Sequence, residues 1–197
     1  MDKIINKISN KIIDYLSFNR YIENEKRDVY LYSTEIFIQS TINIIITLFI
    51  GWMFNLFFEN LVFFLAFKIL RKYSGGLHSS KYFYCLMISI FLNISIMLLF
   101  TYSKSLVSNY LIILELLSFV IVCLFVPITN ENKMLSQKEK KIYKIIAIIE
   151  SIVLLIISIF LIRINSIFAL SICYAMVLNS ILIIAKILIE IFHTKLN

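Results

Sequence analysis

One histidine and one cysteine, seven positions apart, are the residues of this chain best suited to covalent chemistry. They lie in the stretch Arg71-Lys72-Tyr73-Ser74-Gly75-Gly76-Leu77-His78-Ser79-Ser80-Lys81-Tyr82-Phe83-Tyr84-Cys85. An imidazole that takes the thiol proton leaves a thiolate, and a thiolate attacks a carbonyl carbon, which is the minimal machinery of acyl transfer. The spacing sets a condition. Along one straight helix seven residues rise by about 10.5 Å, whereas a hydrogen bond spans about 3 Å. A working pair therefore needs His78 in a turn that folds back, with a helix starting near Ser79 or Ser80, both suitable N-caps. Cys85 then falls in the second turn, beyond most of the helix dipole's reach, so His78 is the main support of a thiolate. Two of the chain's three glycines, Gly75 and Gly76, stand in that turn. In so glycine-poor a sequence they mark backbone that bends or comes close to something. The free N–H groups from Gly75 to Leu77 could face a developing oxyanion. The plain alternatives are a cysteine that fills apolar space and a histidine solvated at an interface.

The elements that must position this pair are set by composition. The 197 residues are 60% apolar and 16% charged, with mean hydropathy +0.90, against about 45–50% and 25% in a soluble domain. One small soluble core cannot hide that excess, and three glycines with one proline exclude collagen-like and linker-rich chains. Apolar segments occur at about 31–53, 56–71, 82–102, 110–127, 144–162 and 166–191. Their solid, non-alternating hydrophobicity predicts helices rather than a closed barrel. The expected fold is an all-α polytopic membrane bundle of about six transmembrane segments. It forms a single membrane-embedded domain over 1–197, in which residues 1–29 are a cytoplasmic amphipathic segment. The second segment is the weakest, with Glu59 and Asn60 at one end and Lys68 near the other, and reads as a short or tilted span or a re-entrant element. Near the N-terminus, Ile4, Ile5, Ile8, Ile12, Ile13 and Leu16 alternate at helical spacing with Lys3, Lys7, Lys11 and Asp14. Such a helix either lies on an anionic leaflet or packs under the bundle.

The net charge is +7, and all but Lys104 and Arg163 of the 19 basic residues fall in the N-terminal stretch, the second and fourth links or the C-terminus. By the positive-inside rule both termini and the two long links are cytoplasmic. The charge thus reports orientation, and no nucleic-acid partner is expected. The first 29 residues lack a continuous apolar run, so no signal-peptide pattern is present. Three cysteines are too few and too apolar in context for a disulfide framework, and Cys123 and Cys173 read as core filler. One His and one Cys fall short of a structural zinc site, so no metal and no cofactor is expected. Other polar residues carry two readings each. Glu35, with Gln39 in the same half of the first segment, either orients His78 as a third member or pairs with Arg71, Lys68 or another interface lysine. Glu150 is a weaker candidate of the same kind. Arg71 binds an acidic tail or a carbonyl, or anchors a helix end. Lys138, Lys140 and Lys141, with Lys144, attract an acidic substrate or serve as a positive-inside signal. Glu115, Asn179 and Lys186 read as packing or snorkelling residues.

Arg71, then Gly75-Gly76, His78 and Cys85, together resemble the signature of the accessory gene regulator B (AgrB) family, membrane cysteine endopeptidases of peptide quorum sensing in Gram-positive bacteria. The resemblance extends to Pro127-Ile128-Thr129-Asn130-Glu131-Asn132-Lys133 and the basic run behind it, although Thr129 stands where the family pattern has an acidic residue. It covers nearly the whole chain, and its specific part is the His-Cys segment.

The resemblance implies Cys85 as nucleophile and His78 as its base. It implies a precursor peptide of the AgrD type as substrate, with an amphipathic N-terminal helix, a central autoinducer region and an acidic tail. Cleavage at the tail junction would leave an acyl-thioester on Cys85, which an internal thiol or hydroxyl then displaces to close a thiolactone or lactone. A homodimer in the plasma membrane is likewise implied. Two other classes stand beside this one. A small-peptide transporter is disfavoured by the lack of internal repeats, and a non-enzymatic membrane scaffold would recruit partners through its basic links.

Overall fold

The computed structural model describes residues 2–19, 21, 23, 26–75, 82–103, 110–128, 136–164 and 166–196. Seven helices occur among them: α1 (Asp2–Phe18), α2 (Arg27–Met53), α3 (Phe57–Ser74), α4 (Tyr82–Ser103), α5 (Tyr110–Phe125), α6 (Gln137–Arg163) and α7 (Phe168–Leu196). The chain is an all-α membrane bundle, and each apolar segment of the sequence coincides with one of α2 to α7. Four of these, α2, α4, α6 and α7, are long and apolar enough to cross a membrane. The apolar α5 has 16 residues, and α3 is interrupted by Glu59, Lys68, Arg71 and Lys72, in keeping with the weak second segment. Large apolar side chains are exposed along the bundle, for example Phe49, Phe91, Leu117 and Ile156. Lipid rather than water is the solvent that suits them.

The helix α6 starts at residue 137, ahead of the apolar segment at about 144–162 that it contains. The cause is a capping box. The Glu139 backbone N–H donates to the Ser136 hydroxyl at 3.3 Å, and the Glu139 carboxylate accepts from the Ser136 backbone N–H at 2.8 Å. Two end donors of the helix are thereby satisfied, and Lys138, Lys140 and Lys141 become helical rather than loop residues. With 27 residues, α6 is about 40 Å long against a hydrocarbon core of about 30 Å, so its basic turns have length to spare.

Contacts divide the chain into two units. The first holds Met1–Ile50 and Ser79–Ile94. In it α1 buries Ile5, Ser9 and Ile13, and Arg27 at the head of α2 reaches back to Asp14 at 2.8 Å and to the Asn10 side-chain oxygen at 3.1 Å. The second holds Gly51–His78 and Ser95–Asn197. Here α3 and α7 pack on one another and on α6, and α5 packs on α6 and α7. The inward stripe of α3 is Asn60, Phe63, Ala66, Leu70 and Ser74. Small residues pave α7, where Ala169, Ser171, Cys173 and Ala175 are buried. Between helices in lipid, apolar burial supplies little drive, so close packing and polar pairs carry the association. The pairs are Ser158 with Glu115, Ser180 with Ser118 at 3.3 Å, Ser74 with Asn179 at 3.0 Å, and Ser103 with Tyr174. Glu115 and Asn179 are thus fully buried interhelical partners, and Lys186 pairs with Glu190 at 3.2 Å. Where α2 turns into α3, Asn55 takes a left-handed conformation and the Asn60 side chain lies against Gly51, 2.8 Å from where a Cβ would stand.

Candidate active site

Cys85 is the fourth described residue of α4. Along this helix Tyr82, Cys85, Leu86, Ser89, Ile90 and Asn93 are covered, while Phe83, Tyr84, Met87, Ile88 and Phe91 are exposed. The thiol is free and half-buried on the covered face. One turn before it, the Tyr82 hydroxyl donates to the main-chain carbonyl of Gln39 at 2.9 Å. A helical carbonyl has a second lone pair beyond its own ladder bond, so this contact fastens the start of α4 to α2 without breaking α2. Tyr82 and Cys85 share a face of α4, and Gln39 and Glu35 share a face of α2. The hydrogen bond joins those two faces.

Glu35 accepts from the Asn6 side-chain amide at 2.8 Å. Asn10 in turn donates to the Asn6 carbonyl at 2.9 Å and to its side-chain oxygen at 3.0 Å, and Arg27 donates to Asn10. A run of hydrogen bonds therefore leads from the Arg27 guanidinium to the Glu35 carboxylate, and it gives that carboxylate a fixed place. Beside it Lys3, Ile5, Asn6, Glu35 and Gln39 line an open cleft of about 540 Å³. Among the described residues Glu35 is hydrogen-bonded by a carboxamide, that of Asn6. Nothing in the charge pattern pointed to Asn6, although its four-residue spacing from Asn10 and Asp14 marks one helix face.

In the second unit the structure explains one of the two glycines. Gly75 has φ 76° and ψ −156°, a region open essentially to glycine alone. It pairs in parallel with Ile128, whose backbone N–H donates to the Ser74 carbonyl at 3.0 Å. A Cβ on Gly75 would run into the Ile128 carbonyl. Glycine is therefore required here both for its conformation and for its lack of a side chain. The pairing joins the roots of the two polar links that sequence analysis singled out separately, the Gly-Gly link and the one opened by Pro127, whose peptide bond is cis. Around this junction Tyr73 packs edge-on to Tyr143 of α6 with centroids 5.3 Å apart, and Tyr73, Ile128 and Ile187 pack against buried Val122, Val126, Ala147 and Ile183.

The cations gather on α3 and α6. Arg71 stands over the Phe67 ring at 5.9 Å, Lys68 over Phe64 at 5.7 Å and Lys72 over Tyr73 at 5.0 Å. Lys138 and Lys141 are exposed in the first turns of α6, and Lys140 is half-buried. Glu150 is half-buried two turns beyond Tyr143. Cys123 is half-buried and Cys173 buried, the latter directed at the Leu111 carbonyl.

The predicted site residues thus fall into two groups. Cys85 and Glu35 belong to the first unit; Arg71, Gly75, Lys138, Lys140 and Lys141 belong to the second. His78, Gly76 and the helix start expected at Ser79 or Ser80 lie outside the described residues. Tyr82 and Asn6 are contributors that sequence reasoning missed.

Comparison with known proteins places the chain. The family model "Accessory gene regulator B" matches residues 6–183. AgrB-like protein 2 of Clostridium perfringens strain 13 is 33% identical over 144 residues, which is 70% of this chain and 67% of the relative. An AgrB-like protein of C. perfringens strain SM101 matches to the same extent. Accessory gene regulator protein B of Staphylococcus carnosus is 27% identical over 127 residues, 64% of this chain and 66% of the relative. No solved structure matches. With its long apolar helices and a family match over most of its length, this chain is a multi-pass membrane protein and belongs to the accessory gene regulator B family.

Proposed function

We propose that the chain is a membrane cysteine endopeptidase that cleaves and cyclises a peptide precursor of the AgrD type. Membership of the family carries a role in agr quorum sensing, and the chemistry proposed is the way that role is carried out. The supporting observation is the place of Cys85: a free, half-buried thiol at the start of α4, on the face that Tyr82 ties to Gln39 and so to the side of α2 that bears Glu35.

His78 takes the thiol proton, and the Cys85 sulfur bonds to the carbonyl carbon at the junction of the autoinducer region and the acidic tail. The carbon–nitrogen bond breaks, and the tail leaves as an amine carrying the proton that His78 held. An internal thiol or hydroxyl of the bound peptide then gives its proton to the imidazole and bonds to the acyl carbon. The bond to Cys85 breaks, the ring closes, and the thiol regains its proton. Exchange of one thioester for another is nearly isoenergetic, whereas hydrolysis would drain the intermediate. A site at a membrane surface favours the first outcome by limiting water and by holding the internal nucleophile close. In this scheme Glu35 is a positioning residue for His78, with Asn6 holding it in turn. Gly75 and Gly76 shape the turn that carries His78 and present N–H groups to the oxyanion. Arg71, Lys138, Lys140 and Lys141 attract the acidic tail. Both termini and both polar links face the cytoplasm, and the protein acts as a homodimer in the plasma membrane of a Gram-positive bacterium.

The test is a comparison of wild-type and Cys85→Ser protein in lipid, incubated with the precursor and followed by mass spectrometry. Wild type is expected to release the tail and to show an acyl-enzyme; Cys85→Ser is expected to lose tail release. Undiminished processing by Cys85→Ser overturns the mechanism.

A further inference from the structure

Helix α1 is built from a four-residue unit repeated three times: Lys3-Ile4-Ile5-Asn6, Lys7-Ile8-Ser9-Asn10 and Lys11-Ile12-Ile13-Asp14. Because a helix has 3.6 residues per turn, equivalent members of such units stack into four ridges. Two ridges are engaged by protein. Ile5, Ser9 and Ile13 are 3%, 0% and 1% exposed, while Asn6, Asn10 and Asp14 carry the hydrogen bonds to Glu35 and Arg27. The other two are turned outward. Ile4, Ile8 and Ile12 are 63%, 44% and 40% exposed, continued by Tyr15 and Phe18 at 67% and 87%. Lys3, Lys7 and Lys11 are exposed along the edge of that apolar ridge.

We propose that these two ridges are a docking surface for an anionic lipid leaflet, with the isoleucines set just below the phosphates and the lysines on them. The pairing of ridges argues for this occupant. An uninterrupted row of isoleucines beside an uninterrupted row of lysines matches the boundary between acyl chains and negative headgroups, and the long lysine stems reach from the apolar side back to that level. A second copy of the chain fits worse, since two such faces brought together would set two rows of lysines side by side. The helix thus serves two partners at once, lipid on one side and Glu35 of α2 on the other. The two roles weighed from sequence, surface helix and packed helix, fall to different ridges of the same element.

The experiment uses the full chain in nanodiscs. The single tryptophan, Trp52, is removed as Trp52→Phe, and Ile8→Trp places a reporter on the apolar ridge. Its fluorescence is challenged with lipids brominated near the headgroup end of the acyl chain and, separately, with acrylamide in the water. Bromolipid is expected to quench strongly and acrylamide weakly in discs containing phosphatidylglycerol. Each lysine near an anionic surface is worth about fivefold in partitioning, so replacing Lys3, Lys7 and Lys11 by Gln should shift Ile8→Trp toward acrylamide. Strong acrylamide quenching with no bromolipid effect overturns the proposal in favour of a water-facing helix. Protection from both quenchers overturns it in favour of a second copy or another protein. Identical behaviour of the lysine variant overturns the electrostatic half. Ile12→Trp repeats the measurement on the same ridge, so misfolding of one reporter does not end the test.

Discussion

Replacing Gly75 by alanine tests the junction of the two polar links most directly. At φ 76° and ψ −156°, a non-glycine residue costs about 1–3 kcal/mol in conformation alone. The added Cβ meets main-chain atoms of Ile128, its carbonyl oxygen and, at 3.2 Å, its carbonyl carbon. Main chain cannot rotate aside as a side chain can, so the pair must separate. Separation forfeits the Ile128 N–H bond to the Ser74 carbonyl, worth about 1 kcal/mol. The total is about 2–4 kcal/mol. At about 2–4 °C per kcal/mol for a chain of this size, the apparent Tm should fall by roughly 5–15 °C. Thermal unfolding in nanodiscs, followed by circular dichroism, reads this. Ser74→Ala is the companion variant. It removes the hydroxyl bond to Asn179 and a longer one to the Gly75 carbonyl at 3.5 Å, the first worth about 0.6 kcal/mol between membrane helices, and should melt close to wild type. Gly75→Ala protein that melts with Ser74→Ala and processes precursor at the wild-type rate would refute the reasoning. It would mean that the strained turn and its pairing to Ile128 do not exist in the working protein.

Three further outcomes follow from the contacts described. Tyr82→Phe keeps the ring but removes the hydroxyl bond to the Gln39 carbonyl; a loss of about 1 kcal/mol should lower the apparent Tm by about 2–4 °C, and tail release at saturating precursor should slow. Asn6→Ala frees the Glu35 carboxylate from its donor; precursor processing should fall, and Asn6→Gln should restore part of it, which a purely structural role for α1 would not produce. Ser136→Ala dismantles the capping box of α6 and should cost about 1 kcal/mol, with amide exchange faster over the first turn of α6 and unchanged near Ser151.

What was legible in the sequence follows from range. Hydrophobic runs are local, so the bounds of α2 to α5 are legible to within a few residues, and the scarcity of glycine marks Gly75. The helix α6 begins ahead of its apolar run because Ser136-x-x-Glu139 caps it, a signal that is equally local. The pairing of Gly75 with Ile128 was not readable, since a main-chain contact between residues 53 positions apart leaves no mark on either side chain. Glu35 shows a different limit. Charge counting supplies lysines and arginines as partners for a carboxylate, but the fold brings α1 alongside, and among the described residues the amide of Asn6 donates to it. The Tyr82 contact was hidden for a related reason, because its acceptor is a carbonyl that every residue possesses.

The union of the two polar links at Gly75 and Ile128 is made of main-chain atoms, and this has an evolutionary consequence. At position 128 the contact asks only for an N–H and a carbonyl, so any residue other than proline satisfies it. Within this contact the strict demand for a single residue type falls on position 75. Substitutions that leave the main chain of these two residues in place therefore do not loosen the joint. Divergence elsewhere in the sequence leaves such a joint intact, because it is held by atoms that every residue possesses.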